Sequence, residues 1–264
     1  MDYSHYRQLK IDIVDRIATI TMNRPDTLNV VQAEMHTELT RIFIDLENDR
    51  DVDIMILTGA GRAFNAGGDI VWMQEGVDDP LSFNSVIREG KQLIFGMLDC
   101  EKPIIAKVNG HAVGLGATLA LYCDIIFMAE NAKIGDPHVK VGLTAGDGGA
   151  VIWPQLIGYA RAKEYLMTGE LISAADAKAM GLVNRVVPRE ELDAAVDTFA
   201  RNLNAGAKLA IRGTKTTINI GLRQLAHSIM DASLAYEAMS NASEDHREGV
   251  AAFREGRKPV FKGR

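Results

Sequence analysis

Two stretches of the 264-residue chain gather the residue types from which an anion site is made: FNAGGDI at 64–70 and NGHAVGLGA at 109–117. Each follows an apolar, strand-like run and leads into a helix-like one. The first turn of a helix carries N–H groups with no intrahelical partner, and the aligned peptide dipoles add partial positive charge there. Where glycine removes side chains, an anion can approach those groups closely. Two such turns converging would hold one oxygen between two backbone donors, which stabilises an oxyanion as it develops. Close packing of strand on helix asks for the same glycines, so composition leaves both readings open. A third stretch, GDPHVKVGLTAGDGG at 135–149, supplies the titratable groups Asp136, His138 and Asp147. An imidazole titrates at about 6.5, so His138 can take or give a proton near neutrality. The plain alternatives are a loop histidine making one hydrogen bond, and an aspartate that shapes a turn or caps the helix starting near Gly149. His111 is a further candidate.

The surrounding pattern says what must position these groups. LKIDIV (9–14) and IATITM (17–22), separated by Asp15 and Arg16, read as a hairpin. From Val31 to Arg50 apolar residues recur at Met35, Leu39, Ile42, Phe43 and Leu46, which is helical spacing. VDIMILTG (52–59), PIIAKV (103–108) and CDIIFMA (123–129) read as buried strands, with helical patterns over 81–99 and in ATLALY between them. This alternation predicts an α/β fold with crossover connections. Beyond the polar loop the pattern predicts helices at 150–168, 172–180 and 190–203 and three more to about 254, with one strand at 182–188. No linker divides the chain, and the expected organisation is a core over 1–200 with a helical C-terminal region over 201–264.

Composition narrows the functional classes. Hydrophobic residues are 47% of the chain, enough for a large core, and 29 Lys+Arg against 35 Asp+Glu give a net charge of −6. That balance argues against nucleic acid as a partner. No apolar run reaches membrane-spanning length. Two cysteines form no disulfide framework and the N-terminal stretch is not a signal peptide, so a cytoplasmic setting is expected. No metal site is expected, because the six histidines show no H-x-x-x-H pair or Cys/His cluster. A dinucleotide fingerprint is weak, since Leu119 stands where the third small residue should be, and G-x-S-x-G is missing.

IIAKVNGHAVGLGATLALYCDIIFMAENAKIGDP, FNAGGDI, MNRPDTLN, LMTGELISAADAKAMGLVNRVVP and the closing FREGRKPVF together resemble the enoyl-CoA hydratase/isomerase, or crotonase, superfamily over residues 10 to 262. The resemblance implies a spiral of repeated ββα units with a C-terminal helical trimerisation region, assembled as a homotrimer or dimer of trimers. It implies an acyl-CoA substrate, with coenzyme A entering as part of that substrate rather than as a separate cofactor. By position the oxyanion donors are the N–H groups of Gly68 and Leu115. Arg24, Thr27, Leu28, Ala66, Gly68 and Ile70 would lie along the coenzyme, as would Lys258 and Phe261 of the basic tail, in some relatives reaching a neighbouring subunit. Trp72, Met73 and Trp153 could bound the acyl pocket. Hydratases of the family place glutamates where this chain has Thr118 and His138, so two-carboxylate hydration is not expected. The expected acid/base pair is His138 and Asp147, with Asp136 and His111 in reserve, and Thr118 is expected to pack or bond back to a carbonyl. An isomerase-type reaction loses least from the missing glutamates. Hydration with replacement groups, thioester hydrolysis, C–C cleavage and non-catalytic binding of a CoA ester are the alternatives.

Overall fold

The computed structural model describes residues 1–79 and 81–264. β1 (Leu9–Val14) and β2 (Ile17–Met22) form the expected hairpin, turned by Asp15 and Arg16 at φ 49° and 65°. α1 (Ala33–Asn48) follows and buries Met35, Leu39, Ile42, Phe43 and Leu46, the stripe its spacing predicts. Then come β3 (Ile54–Gly59), α2 (Ile70–Asp78), α3 (Phe83–Asp99), β4 (Ile104–Val108), β5 (Ala112–Val113), α4 (Leu115–Leu121), β6 (Ile125–Ala129) and β7 (Lys133–Gly135). The chain continues as α5 (Gly149–Ile157), α6 (Tyr159–Thr168), β8 (Ile172–Ser173), α7 (Ala174–Ala179), β9 (Arg185–Val187), α8 (Leu192–Asn204), α9 (Lys208–Asn241) and α10 (Glu244–Glu255).

The main sheet has the order β1-β2-β3-β4-β6-β9, parallel except for the β1 edge. All six residues of β3 are buried, as a central parallel strand covered on both faces requires. β5, β7 and β8 form a second, three-stranded sheet. The consequence for function lies in β3 and β4. They are adjacent and parallel, so the two glycine-rich loops leave neighbouring strands at the same edge of the sheet.

Three expectations need correcting. The helix predicted over 150–168 is two helices, broken at Gly158 with φ 79°. Residues 172–173 form a short strand, and Ser173 caps α7 by accepting from the Asp176 N–H at 3.1 Å. After residue 203 there are two helices rather than three, because α9 runs unbroken for 34 residues across Gly213 and Gly221. Tertiary contacts support it along its length. Lys91 pairs with Asp231 at 2.5 Å and Arg223 with Asp99 at 2.6 Å, both along α3. Lys215, nearly buried, reaches Asp124 at 2.7 Å, and the buried Asp53 takes Arg16, Lys208 and Arg212. Residue 200, the boundary expected from sequence, lies inside α8.

Candidate active site

Three asparagines knit the two glycine-rich loops together. Asn109 donates to the carbonyls of Gly59 at 2.9 Å and Gly61 at 3.1 Å, Asn29 to Ala60 at 2.8 Å and Ala63 at 2.9 Å, and Asn65 to Asn29 at 2.6 Å. Backbone bonds join them directly, with Phe64 and Asn65 N–H on the His111 carbonyl and Val113 N–H on Asn65, 2.9 to 3.1 Å. The loops touch at Gly67 and Gly114, where a Cβ on Gly114 would stand 3.7 Å from Gly67 Cα. Gly114 has φ 56° and ψ −125°, a conformation that needs glycine. The residues that follow the contact, Gly68 and Leu115, line one cavity of about 440 Å³. Gly68 bridges Val31 through the Gly67 carbonyl and the Asp69 N–H, which leaves its own N–H outside the ladder. The Leu115 N–H opens α4. Among the described residues neither amide donates to a protein acceptor, so both can serve an oxygen bound in the cavity.

The third loop is delivered by β7, whose Gly135 carbonyl accepts the Gly114 N–H at 2.9 Å. His138 therefore lies beside Gly114, its Cε1 3.8 Å from where a Cβ would be. Its Nδ1 is hydrogen-bonded to Asp136 and its Nε2 stands 3.7 Å from Asp147 Oδ2. Burial alone would lower the imidazole's pKa, but the two carboxylates override it and hold His138 well above its ordinary value. Asp147 is held by Thr118, whose hydroxyl donates to Oδ1 at 3.0 Å, and by the Gly149 N–H at 3.4 Å. Thr118 thus bonds across to the acid instead of back to a carbonyl, and Asp147 accepts the first N–H of α5 while also facing the cavity. Burial raises the Asp147 pKa, and the nearby imidazolium opposes that. Among the described residues Asp147 Oδ2 has no hydrogen-bond partner. Ligand atoms of Asp136, His138 and Asp147 lie within 4.8 Å of one another, near enough for a cation. Both imidazole nitrogens already face a carboxylate, however, so protons can neutralise this cluster.

A fourth titratable group comes from a helix that the sequence reading left outside the site. Glu237 of α9 lines the cavity at 6% exposure. Burial, then the negative charge of Asp147, raises its pKa to about 8, so it carries a proton at neutrality. The signal was present, since Met230, Leu234, Glu237 and Asn241 recur at helical spacing and put an acid in an otherwise inward-facing stripe. His246 of α10 also lines the cavity, its Nδ1 on the Val141 carbonyl at 2.7 Å, and burial lowers its pKa.

The other sequence-derived residues divide. Trp72 and Met73 line the cavity, but Trp153 is fully buried within α5 and does not. His111 is exposed and accepts the Lys133 N–H at 3.0 Å, away from the cluster. Arg24, Leu28, Ala66 and Ile70 gather beside the Gly68 loop. Arg24 bonds the Val30 carbonyl at 2.8 Å and Asp69 at 3.3 Å, and Ala66 N–H bonds the Leu28 carbonyl at 3.1 Å. Thr27 is exposed at its edge. Lys258 and Phe261 are not brought to them within one chain. Lys258 is exposed, and Phe261 lines a different cavity with Leu143 and Tyr159, because Asp245 and Glu248 fasten the tail to α10.

Comparisons with known proteins agree with this architecture. The enoyl-CoA hydratase/isomerase family profile matches residues 12–264. A crotonyl-CoA hydratase of Syntrophomonas wolfei is 34% identical, covering 97% of this chain and 98% of its own. A 1,2-epoxyphenylacetyl-CoA isomerase of Escherichia coli is 35% identical over 94% of this chain and 95% of its own. The crystal structure of an enoyl-CoA hydratase/isomerase from Mycobacterium paratuberculosis superposes with a TM-score of 0.91 at 38% identity, over 94% of this chain and 99% of that one. With its α/β core, its C-terminal helices and matches spanning nearly all its length, the chain belongs to the enoyl-CoA hydratase/isomerase, or crotonase, family.

Proposed function

We propose that this enzyme moves a proton within an acyl-CoA thioester, as an isomerase does, through an enolate held by the N–H groups of Gly68 and Leu115. The observation that carries the reading is the meeting, in one cavity, of two unpartnered amides with the Asp147 carboxylate and the His138 imidazole. The thioester oxygen accepts from both amides, which lowers the cost of removing a carbon-bound proton. A single donor of this kind contributes roughly 3–4 kcal/mol to the transition state. Asp147 Oδ2 takes the proton, becoming the neutral acid, and returns it to another carbon of the delocalised enolate. The two C–H bonds balance and no water is consumed. The cation on His138 keeps Asp147 ionised against its burial, and Asp136 holds that imidazole in place. Glu237, protonated at neutrality, is available to give a proton rather than take one. Thr118 and His138 at the two hydratase glutamate positions support this over hydration. No cofactor is needed beyond the coenzyme A of the substrate.

A second reading rests on one observation. Asp147 Oδ2, lining the cavity beside the His138 cation, is also placed to take a proton from water instead of from carbon, which would suit hydrolysis or C–C cleavage on the same oxyanion site. A panel of enoyl-, dienoyl-, β-keto- and hydroxyacyl-CoA esters read by mass separates the two. Isomers of unchanged mass, lost by at least about a thousandfold in Asp147→Asn, are expected. Released acid or a water adduct from the wild type would overturn isomerisation. We propose also that the chain acts as a homotrimer or dimer of trimers in the cytoplasm. Exposed Leu209, Ile218, Tyr236, Met239 and Phe253 on α9 and α10 support self-association, and a monomer in sedimentation equilibrium would refute it.

A further inference from the structure

The wall of the cavity between α1 and α3 holds a polar group that the proton transfer does not use. His36 is 3% exposed, and its Nδ1 lies 2.7 Å from Glu89 Oε2. The other Glu89 oxygen accepts the Thr37 hydroxyl at 3.0 Å, so both carboxylate oxygens are engaged inside the protein. The ring of Trp72 packs on the imidazole, with centroids 5.4 Å apart and planes tilted by 49°. Nε2 is what remains. Among the described residues it has no protein partner, and the His36 side chain lines the same cavity as Gly68, Leu115 and Asp147.

A carboxylate on Nδ1 keeps a hydrogen on that nitrogen and fixes the ring's orientation. Nε2 then offers a lone pair when the ring is neutral and an N–H when it is charged. Once an acyl chain covers it, a nitrogen of this kind is costly to leave unpaired, and a plain hydrocarbon chain could not pair it. The side chains around it are largely apolar, with Phe83, Val86, Ile87 and Leu234 on the same cavity. Apart from the His138 cation, which is already faced by Asp136 and Asp147, the charged groups lining the cavity are acidic: Glu75, Asp79 and Glu89 contribute to it, and among the described residues no Lys or Arg does. An anionic acyl group would meet repulsion there without a free cation to compensate it.

We infer that His36, held by Glu89, selects acyl chains bearing an uncharged oxygen, a hydroxyl or an oxo group, remote from the thioester. A hydroxyl donates to the neutral ring, and an oxo group accepts from the charged one. This assignment rests on the thioester reading above, and its test separates the two. Calorimetric titration compares a medium-chain acyl-CoA with counterparts carrying a hydroxyl or an oxo group near the chain end. Binding is measured on the wild type, His36→Leu and His36→Gln. The wild type is expected to favour one oxygenated ester by about tenfold, the effect of one hydrogen bond. The preference should vanish in His36→Leu and return in part in His36→Gln, whose amide can still bond. Equal binding of all three esters by the wild type, or an unchanged preference in a folded His36→Leu, would overturn the assignment alone. If no ester binds at all, the thioester reading falls and this one with it.

Discussion

His138, Asp147 and Glu237 are each tuned by their neighbours, so single substitutions have directions that can be stated in advance. Glu237 titrates near 8 in the folded protein against an ordinary 4.5. Between those values the folded state keeps a proton that the unfolded chain has given up. Stability from this group is therefore complete below about pH 4.5 and is lost as pH rises through 8. Glu237→Gln cannot lose that proton, so its urea midpoint should fall less than the wild type's between pH 5 and pH 8.5. Parallel curves for the two proteins would show that Glu237 is not held neutral. His138 was readable as an acid/base candidate because an imidazole titrates near neutrality and the residue stands where related hydratases carry a glutamate. Asp136 was readable only as a reserve, since nothing in the order of residues says which carboxylate folds back onto Nδ1. Glu237 was missed because it lies about ninety positions from Asp147, and only the packing of α9 closes that gap.

At the scale of elements, the site depends on two turns that leave adjacent parallel strands and touch glycine to glycine. Gly114→Ala forces a side chain into a backbone geometry of φ 56° and ψ −125° beside His138 and Gly67. A destabilisation of about 1–3 kcal/mol is expected, with a larger relative loss in turnover because the Leu115 N–H is re-aimed. Circular-dichroism melts alongside kcat would show it, and wild-type turnover would remove the turn from the account. The strands and their turns were legible because periodicity and glycine are local signals: 9–14 and 17–22 match residue for residue. What was not legible was how the turns are held. Asn29, Asn65 and Asn109 do that through side-chain bonds to distant carbonyls, and an asparagine in sequence does not announce its partner. The unbroken α9 was misread for a related reason. Gly213 and Gly221 weaken a helix locally, while the ion pairs that offset them join other elements.

At the scale of the molecule, the C-terminal helices that looked like an addition close the cavity. Leu234, Glu237 and Asn241 of α9 and His246 of α10 line it, and Thr144 of the 135–149 loop donates its N–H to Ser240 at 3.0 Å. The start of α9 is tied to the hairpin end of the sheet through Asp53, whose pKa is lowered to about 2, first by Arg16 and also by Lys208. Asp53→Ala should cost about 1–3 kcal/mol, toward the low end because Arg16 and Lys208 stay partly hydrated. Amide exchange should quicken across 205–216, and unchanged exchange there would refute the anchoring role. The measurement that bears most directly on the whole account is proton exchange at the substrate. An enoyl-CoA ester incubated in deuterium oxide should gain carbon-bound deuterium with the wild type, because the O–H of the Asp147 acid exchanges with solvent while the enolate lasts, without the added mass of water, and gain almost none with Asp147→Asn. Label that enters equally fast in both proteins, or a product heavier by a molecule of water, would contradict it.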